Sequence, residues 1–155
     1  VQTCALPICF GEGNVYLNAR KDLKAPPMIR TAVHPGFPTD AQPALMALCT
    51  TLPGTSIFVE TVFENRYRHV DELTRMGADI RVAGRVAVVT GTEALHGAAV
   101  RCTDLRGGAA LCVAALAAEG ETHISEIGHI DRGYQNIVSD LSALGADIAR
   151  AETED

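Results

Sequence analysis

Residues 39–80, TDAQPALMALCTTLPGTSIFVETVFENRYRHVDELTRMGADI, return in outline at residues 103–148, TDLRGGAALCVAALAAEGETHISEIGHIDRGYQNIVSDLSALGADI. Thr39-Asp40 recurs as Thr103-Asp104, Gly54 as Gly120, and Asn65-Arg66 as Asp131-Arg132. Met76-Gly77-Ala78-Asp79-Ile80 recurs as Leu144-Gly145-Ala146-Asp147-Ile148, so four landmarks keep their order at offsets of 64 to 68 residues. An internal duplication is the economical reading, and a repeat of this length is a subdomain, not a solenoid turn.

Each unit reads alike. The Thr-Asp pair precedes an Ala/Leu-rich helical stretch, Ala44 to Thr51 in the first unit and Ala109 to Ala118 in the second. Thr39 with Gln42 fits a T-x-x-Q capping box, and either Thr or Asp can satisfy free N–H groups at a helix start. Pro43 is tolerable because it falls in the first turn. A glycine then closes the helix. Segments rich in β-branched residues follow, Thr55 to Val62 and Thr122 to Ile127, and read as strands. A second helix carries one apolar stripe, Val70, Leu73 and Met76 in the first unit and Ile137, Leu141 and Leu144 in the second. In the first unit Ile80 to Val82 and Val86 to Thr90 form a hairpin turning at Ala83-Gly84. The order helix, strand, helix, strand, strand places the chain in the α/β (α+β) class, with helices packed on sheet. The expected divisions are a leader at 9–30 with a loop at Pro26-Pro27, repeat one at 31–97, repeat two at 98–150, and a solvated tail at 151–155. Residues 1–8, VQTCALPI, look like a translated sequencing adapter and are set aside, so the genuine chain is expected to begin near Cys9.

The 155-residue chain has a formal net charge of −6 and a pI near 5.3, which argues against broad binding to nucleic acid or anionic membrane. No apolar run approaches the ~20 residues of a membrane span. The five cysteines form no CxxC pair, and Cys49, Cys102 and Cys112 lie in apolar stretches where a thiol behaves as a small buried hydrophobe. That usage fits a reducing cytoplasm. The five histidines show no HxH or HExxH spacing, so no metal site is expected. Walker A, G-x-G-x-x-G and G-x-S-x-G signatures are missing, and Gly107-Gly108 reads as close helix packing.

The repeat itself suggests a site. Equivalent strand-to-helix junctions of pseudo-symmetric units gather at one end of a domain, which would bring Asp40, Asp104, Arg66, Arg106 and Arg132 onto one rim. Arginines at helix starts suit phosphate or carboxylate, and a carboxylate among them can take a proton from a hydroxyl. The plainer alternative is that the Thr-Asp pairs only cap helices and the arginines only pair with neighbouring acids.

Four motifs then carry a resemblance: His34-Pro-Gly-Phe-Pro-Thr-Asp40, Thr61-Val-Phe-Glu-Asn-Arg66, Thr103-Asp-Leu-Arg106 and His129-Ile-Asp-Arg-Gly-Tyr134. In this order and spacing, over about Arg30 to Arg150, the chain resembles the C-terminal part of the UDP-N-acetylglucosamine 1-carboxyvinyltransferase family. The resemblance implies two lobes of three similar subdomains each, an inside-out α/β barrel, with the active site between the lobes. It implies transfer of the enolpyruvyl group of phosphoenolpyruvate to the 3-hydroxyl of UDP-N-acetylglucosamine, with release of phosphate, through a tetrahedral adduct and with no cofactor. This is the step that opens peptidoglycan precursor synthesis.

Carried over by motif, Asp40 matches the acid that contacts the sugar hydroxyl and acts as general base. Val62 matches a residue whose backbone contacts the nucleotide sugar. Arg66, Arg106 and Arg132 match the basic residues around the phosphate and carboxylate of phosphoenolpyruvate, and Asp104 matches an acid lining the same cleft. Asp40 and Arg132 are the residues assigned to catalysis. His34 replaces the family's usual tyrosine. The family's catalytic cysteine, lysine and a further arginine belong to the other lobe, so that missing lobe is the implied partner, and the chain alone is expected not to turn over. Three other readings stand beside this one: the shikimate-pathway enolpyruvyl transferase, a non-catalytic module binding an anion or nucleotide sugar, and an inert piece that associates through open sheet edges.

Overall fold

The computed structural model describes residues 8–11, 14–17 and 22–151. Residues 1–7, 12–13, 18–21 and 152–155, which take in most of the adapter-like segment, part of the leader and most of the tail, lie outside the described residues. Strands β1 (Ile8–Gly11) and β2 (Asn14–Leu17) pair antiparallel. The first unit follows with β3 (Met28–Arg30), α1 (Gln42–Cys49), β4 (Thr55–Val59), α2 (Val70–Arg75), β5 (Asp79–Ala83) and β6 (Val86–Thr90). Its sheet has the order β3-β4-β6-β5, parallel between β3 and β4 and antiparallel elsewhere.

Short strands β7 (Leu95–His96) and β8 (Ala99–Arg101) lead to α3 (Leu105–Ala115), β9 (Ala118–Glu119), β10 (His123–Ser125), α4 (Gly128–Asp131) and α5 (Ile137–Ala143). β8 and β10 are parallel, with α3 crossing between them, just as α1 crosses between β3 and β4. The duplication is thus a repeated strand–helix–strand crossover. Each crossover opens with a three-residue strand too short to show an alternating pattern, and the first takes in Met28–Arg30, which the sequence places in the leader. β7 pairs with β9 and stitches the linker to the end of α3.

Two apolar clusters hold the units together. Ile29, Met46, Phe58, Val70 and Val89 fill the space between the first sheet and its helices. A second cluster, including Ala47, Leu73, Met76, Ala110, Leu111 and Ala114, joins α1 and α2 to α3 across the two units. Alanines at that seam keep the helix backbones close. Gly108 serves the same end, because a Cβ there would lie 2.3 Å from Cys102 Sγ and 2.7 Å from Ile130. The close-packing expectation for this glycine holds. Cys49, Cys102 and Cys112 are buried thiols, and burial pushes the Cys112 thiol up to about 11, which makes it inert near neutrality.

Two sequence expectations change. The stripe Ile137, Leu141, Leu144 is not a buried one, for Leu144 is 84% exposed and α5 buries no residue fully, whereas Val70, Leu73 and Met76 are buried. The reason is physical: α1, α3 and the first sheet cover the first stripe, and among the described residues no strands follow α5. The strand segments also end sooner, at Val59 and Ser125, since the chain turns at Glu60 and Glu126. The Gly-Ala-Asp stops work as expected, with Gly77 and Gly145 at φ +93° and +95°, a conformation that costs a side-chain-bearing residue.

Candidate functional site

Both units contribute to one carboxylate. Asp40 sits on a single 3₁₀ turn, Thr39–Ala41, that delivers the chain into α1. Arg66 lies in the loop between β4 and α2, and Arg106 in the first turn of α3. Arg66 Nη2 donates to Asp40 Oδ1 at 2.8 Å, and Arg106 Nη2 donates to Oδ2 at 2.9 Å. Arg66 is further held over the Phe63 ring, 5.3 Å from its centroid. A hydrogen bond with Tyr134, then the pairing with Asp40, makes Arg106 still harder to deprotonate. Each carboxylate oxygen thus receives one guanidinium from a different repeat, which fixes the plane of a group that stays half exposed.

The expected capping box does not form. Thr39 Oγ1 donates instead to Glu60 Oε2 at 2.9 Å, and the start of α1 has no side-chain cap. The intervening 3₁₀ turn moves Thr39 away from the helix end, and Pro43 removes one N–H that would have needed an acceptor. In the second unit Asp104 does cap α3: its Oδ1 accepts from the N–H groups of Arg106 at 3.0 Å and Gly107 at 2.8 Å. The two equivalent aspartates have therefore diverged, one a cap and the other an ion-pair centre.

Glu60 is the residue that sequence reading missed. It is 1% exposed, and its Oε1 accepts from the N–H groups of Val62 at 2.7 Å and Phe63 at 3.1 Å. Burial works against its charge, but these bonds, with those of Thr39 and Thr31, outweigh it and hold the carboxyl below its ordinary range. Glu60 ties the Asp40 turn to the Val62 loop. Because the Val62 N–H is taken, only its carbonyl remains for a backbone contact with a ligand. An acid closing a strand gives no pattern to read, so only the fold could reveal this tether.

Arg132 and Asp104 line a neighbouring cavity of about 400 Å³, together with Arg68, Thr103, Leu105 and His129. An adjoining one of about 410 Å³ shares Arg68 and Thr103 and also reaches Arg66. All five expected rim residues thus fall at one end of the molecule, with Asp40, Arg66 and Arg106 in direct contact and Asp104 and Arg132 beside them. Among the described residues no group of His, Cys, Asp and Glu could hold a metal ion, and no helix is long and apolar enough to cross a membrane.

His69 joins the units under this rim. It is fully buried, precedes α2, and packs its Cβ against Gly107 of α3. Among the described residues neither ring nitrogen has a well-formed hydrogen bond, and the Arg66 backbone pulls only weakly on the ring. Burial lowers its pKa to about 4, against the pull of Asp104. The folded state therefore rejects a proton that the unfolded chain accepts near its ordinary 6.5. Stability from this group is complete above about pH 6.5 and declines as pH falls toward 4, by about 2 kcal/mol between pH 7 and pH 5. Urea unfolding at the two pH values should show this difference, and His69→Leu should remove most of it.

The fold and the site together define a repeat-built α/β domain that gathers acid and arginine near its helix starts. The profile of the EPSP synthase (3-phosphoshikimate 1-carboxyvinyltransferase) family matches residues 13–141, and the chain belongs to that family. It is 60% identical over 123 residues to a UDP-N-acetylglucosamine 1-carboxyvinyltransferase of Desulfofundulus thermocisternus, covering 79% of this chain and 51% of the relative. A relative of the same name from Zymomonas mobilis is 52% identical, covering 94% of this chain and 34% of that protein. The chain spans about a third to a half of the curated relatives it matches. Its fold is similar to that of the enolpyruvyl transferase NikO from Streptomyces tendae, with a TM-score of 0.83 and 34% identity, over 92% of this chain and 33% of the other. EPSP synthase from Acinetobacter baumannii, at a TM-score of 0.56 and 22% identity over 72% of this chain and 26% of that one, shares the fold.

Proposed function

We propose that the whole protein transfers the enolpyruvyl group of phosphoenolpyruvate to the 3-hydroxyl of UDP-N-acetylglucosamine and releases phosphate, acting with a second lobe that carries the rest of the site. The observation that carries this reading is the clamp on Asp40. A carboxylate with both oxygens fixed, yet half exposed, keeps lone pairs for an incoming hydroxyl. As that proton moves to Asp40, the sugar oxygen bonds to C2 of phosphoenolpyruvate and C3 gains a proton from an acid of the second lobe. Loss of phosphate from C2 and of a proton from C3 then restores the double bond. Arg66 and Arg106 orient the base, Arg132 takes the anionic end of phosphoenolpyruvate, and the Val62 carbonyl contacts the nucleotide sugar. Asp104 acts by holding the first turn of α3, and with it Arg106, in place.

The relatives' names support the nucleotide sugar as acceptor, while the family profile is named for a shikimate enzyme. A chimera decides between them: this chain replaces the corresponding segment of the Zymomonas mobilis relative, and phosphate release is followed with phosphoenolpyruvate and either acceptor. Release with UDP-N-acetylglucosamine and none with shikimate 3-phosphate is expected. The reverse result overturns the proposal, and phosphate release by the isolated chain would show that no second lobe is needed.

A further inference from the structure

We infer that Arg68, with Arg132 and His129, forms a phosphate-binding subsite in the cavity of about 400 Å³ beside α3. No motif or resemblance points to Arg68; only its position does. The inference rests on the proposed function in that the ligand it would seat is the phosphate of phosphoenolpyruvate, but the site itself is argued from charge.

The arginines at this end differ in what already neutralises them. Arg66 and Arg106 share Asp40. The side chains of Arg68 and Arg132 form no hydrogen bond or ion pair with any described residue. The sole carboxylate lining their cavity is Asp104, whose Oδ1 is committed to two N–H groups at 3.0 Å and 2.8 Å. The adjoining cavity, which Arg68 also lines, lacks this imbalance, for its lining carries three carboxylates, Glu64, Asp71 and Glu72. Excess cationic charge is therefore confined to one of the two cavities.

The remaining lining supplies donors. His129 brings an imidazole and Thr103 a hydroxyl, bonded to Asp104 Oδ2 only at 3.5 Å, whereas the first-turn N–H groups of α3 are already capped by Asp104. About 400 Å³ sits at the small end of ligand pockets and suits a phosphorylated small acid rather than a nucleotide sugar. Two guanidiniums on one phosphoryl group offer forked, charge-assisted hydrogen bonds that a lone arginine does not.

The test titrates the isotopically labelled chain with inorganic phosphate and, separately, with phosphoenolpyruvate, following the amide resonances of Thr103, Leu105 and His129. Both ligands should shift these signals, and Arg68→Gln and Arg132→Gln should each weaken binding by about tenfold or more. Arg101→Gln, in the balanced cavity, should leave affinity within about twofold. Arg68 is exposed, so its variant should unfold at the wild-type temperature, which separates lost binding from lost structure. The inference is overturned if wild-type chain binds neither ligand, if Arg68→Gln binds as wild type does, or if Arg101→Gln is as weak as Arg68→Gln. If Arg68 governs phosphate binding but phosphoenolpyruvate binds no more tightly than phosphate, the subsite stands and the enolpyruvyl reading fails.

Discussion

Replacing Glu60 by alanine should destabilise this chain by about 3–5 kcal/mol, the largest stability effect expected of any single site on the rim. Truncation strips the acceptor from the Val62 and Phe63 N–H groups and from the Thr39 hydroxyl in one step. The side chain is 1% exposed, so water does not simply take its place. Glu60→Gln keeps the shape but turns an amide toward N–H donors, and should lose roughly half as much. Urea unfolding measures the loss, and amide exchange at Val62 and Phe63 locates it. A cost under about 1 kcal/mol, with exchange unchanged, would refute the tether. The sign with pH is opposite in origin to that of His69. Because the folded pKa lies below 4.5, the contribution of Glu60 is present above that value and disappears only as pH falls through the folded one. Acid should therefore act in two stages, His69 first and Glu60 below it.

Asp40→Asn is expected to do the reverse, sparing the fold and abolishing the chemistry. In the chimera described above, kcat should fall by about 10³-fold, within the range for loss of a general base. Asp40 is half exposed and asparagine keeps one acceptor oxygen for its two arginines, so stability should change by no more than about 1 kcal/mol. The substrate KM should move far less than kcat, since asparagine keeps the size and one acceptor oxygen. Retention of more than about a tenth of wild-type kcat would remove Asp40 from the role of base. The contrast between the two variants is informative. Glu60 and Asp40 are linked through Thr39, yet one acts on structure and the other on reaction.

The elements that sequence reading recovered well are those with a local cause. α2 shows its stripe at Val70, Leu73 and Met76 because one helical face is buried, Val70 against the first sheet and Leu73 and Met76 against α1 and α3. The hairpin is legible in its β-branched residues, although its turn falls at Gly84-Arg85, one residue later than read, where Gly84 takes φ +58°. The three-residue strands β3 and β8 were not legible, for their length is too short to alternate and their pairing partners lie 29 and 24 residues away. The capping box failed for a related reason. A local motif was present, but Glu60, 21 residues on, offered Thr39 a better acceptor.

The amino-acid sequence by itself determined the duplication, the class of fold, the family and the set of residues on the rim, since each of these is written in residue type and spacing. Tertiary structure alone decided how that set divides. It put Asp40 between arginines of two repeats while its counterpart Asp104 became a helix cap. It made Glu60 a buried tether, His69 a neutral joint, and Arg68 an unpaired neighbour of Arg132. The physical reason is that a residue's type sets what bonds it can make, whereas burial and long-range proximity set which of those bonds are available, and neither is a property of the local chain.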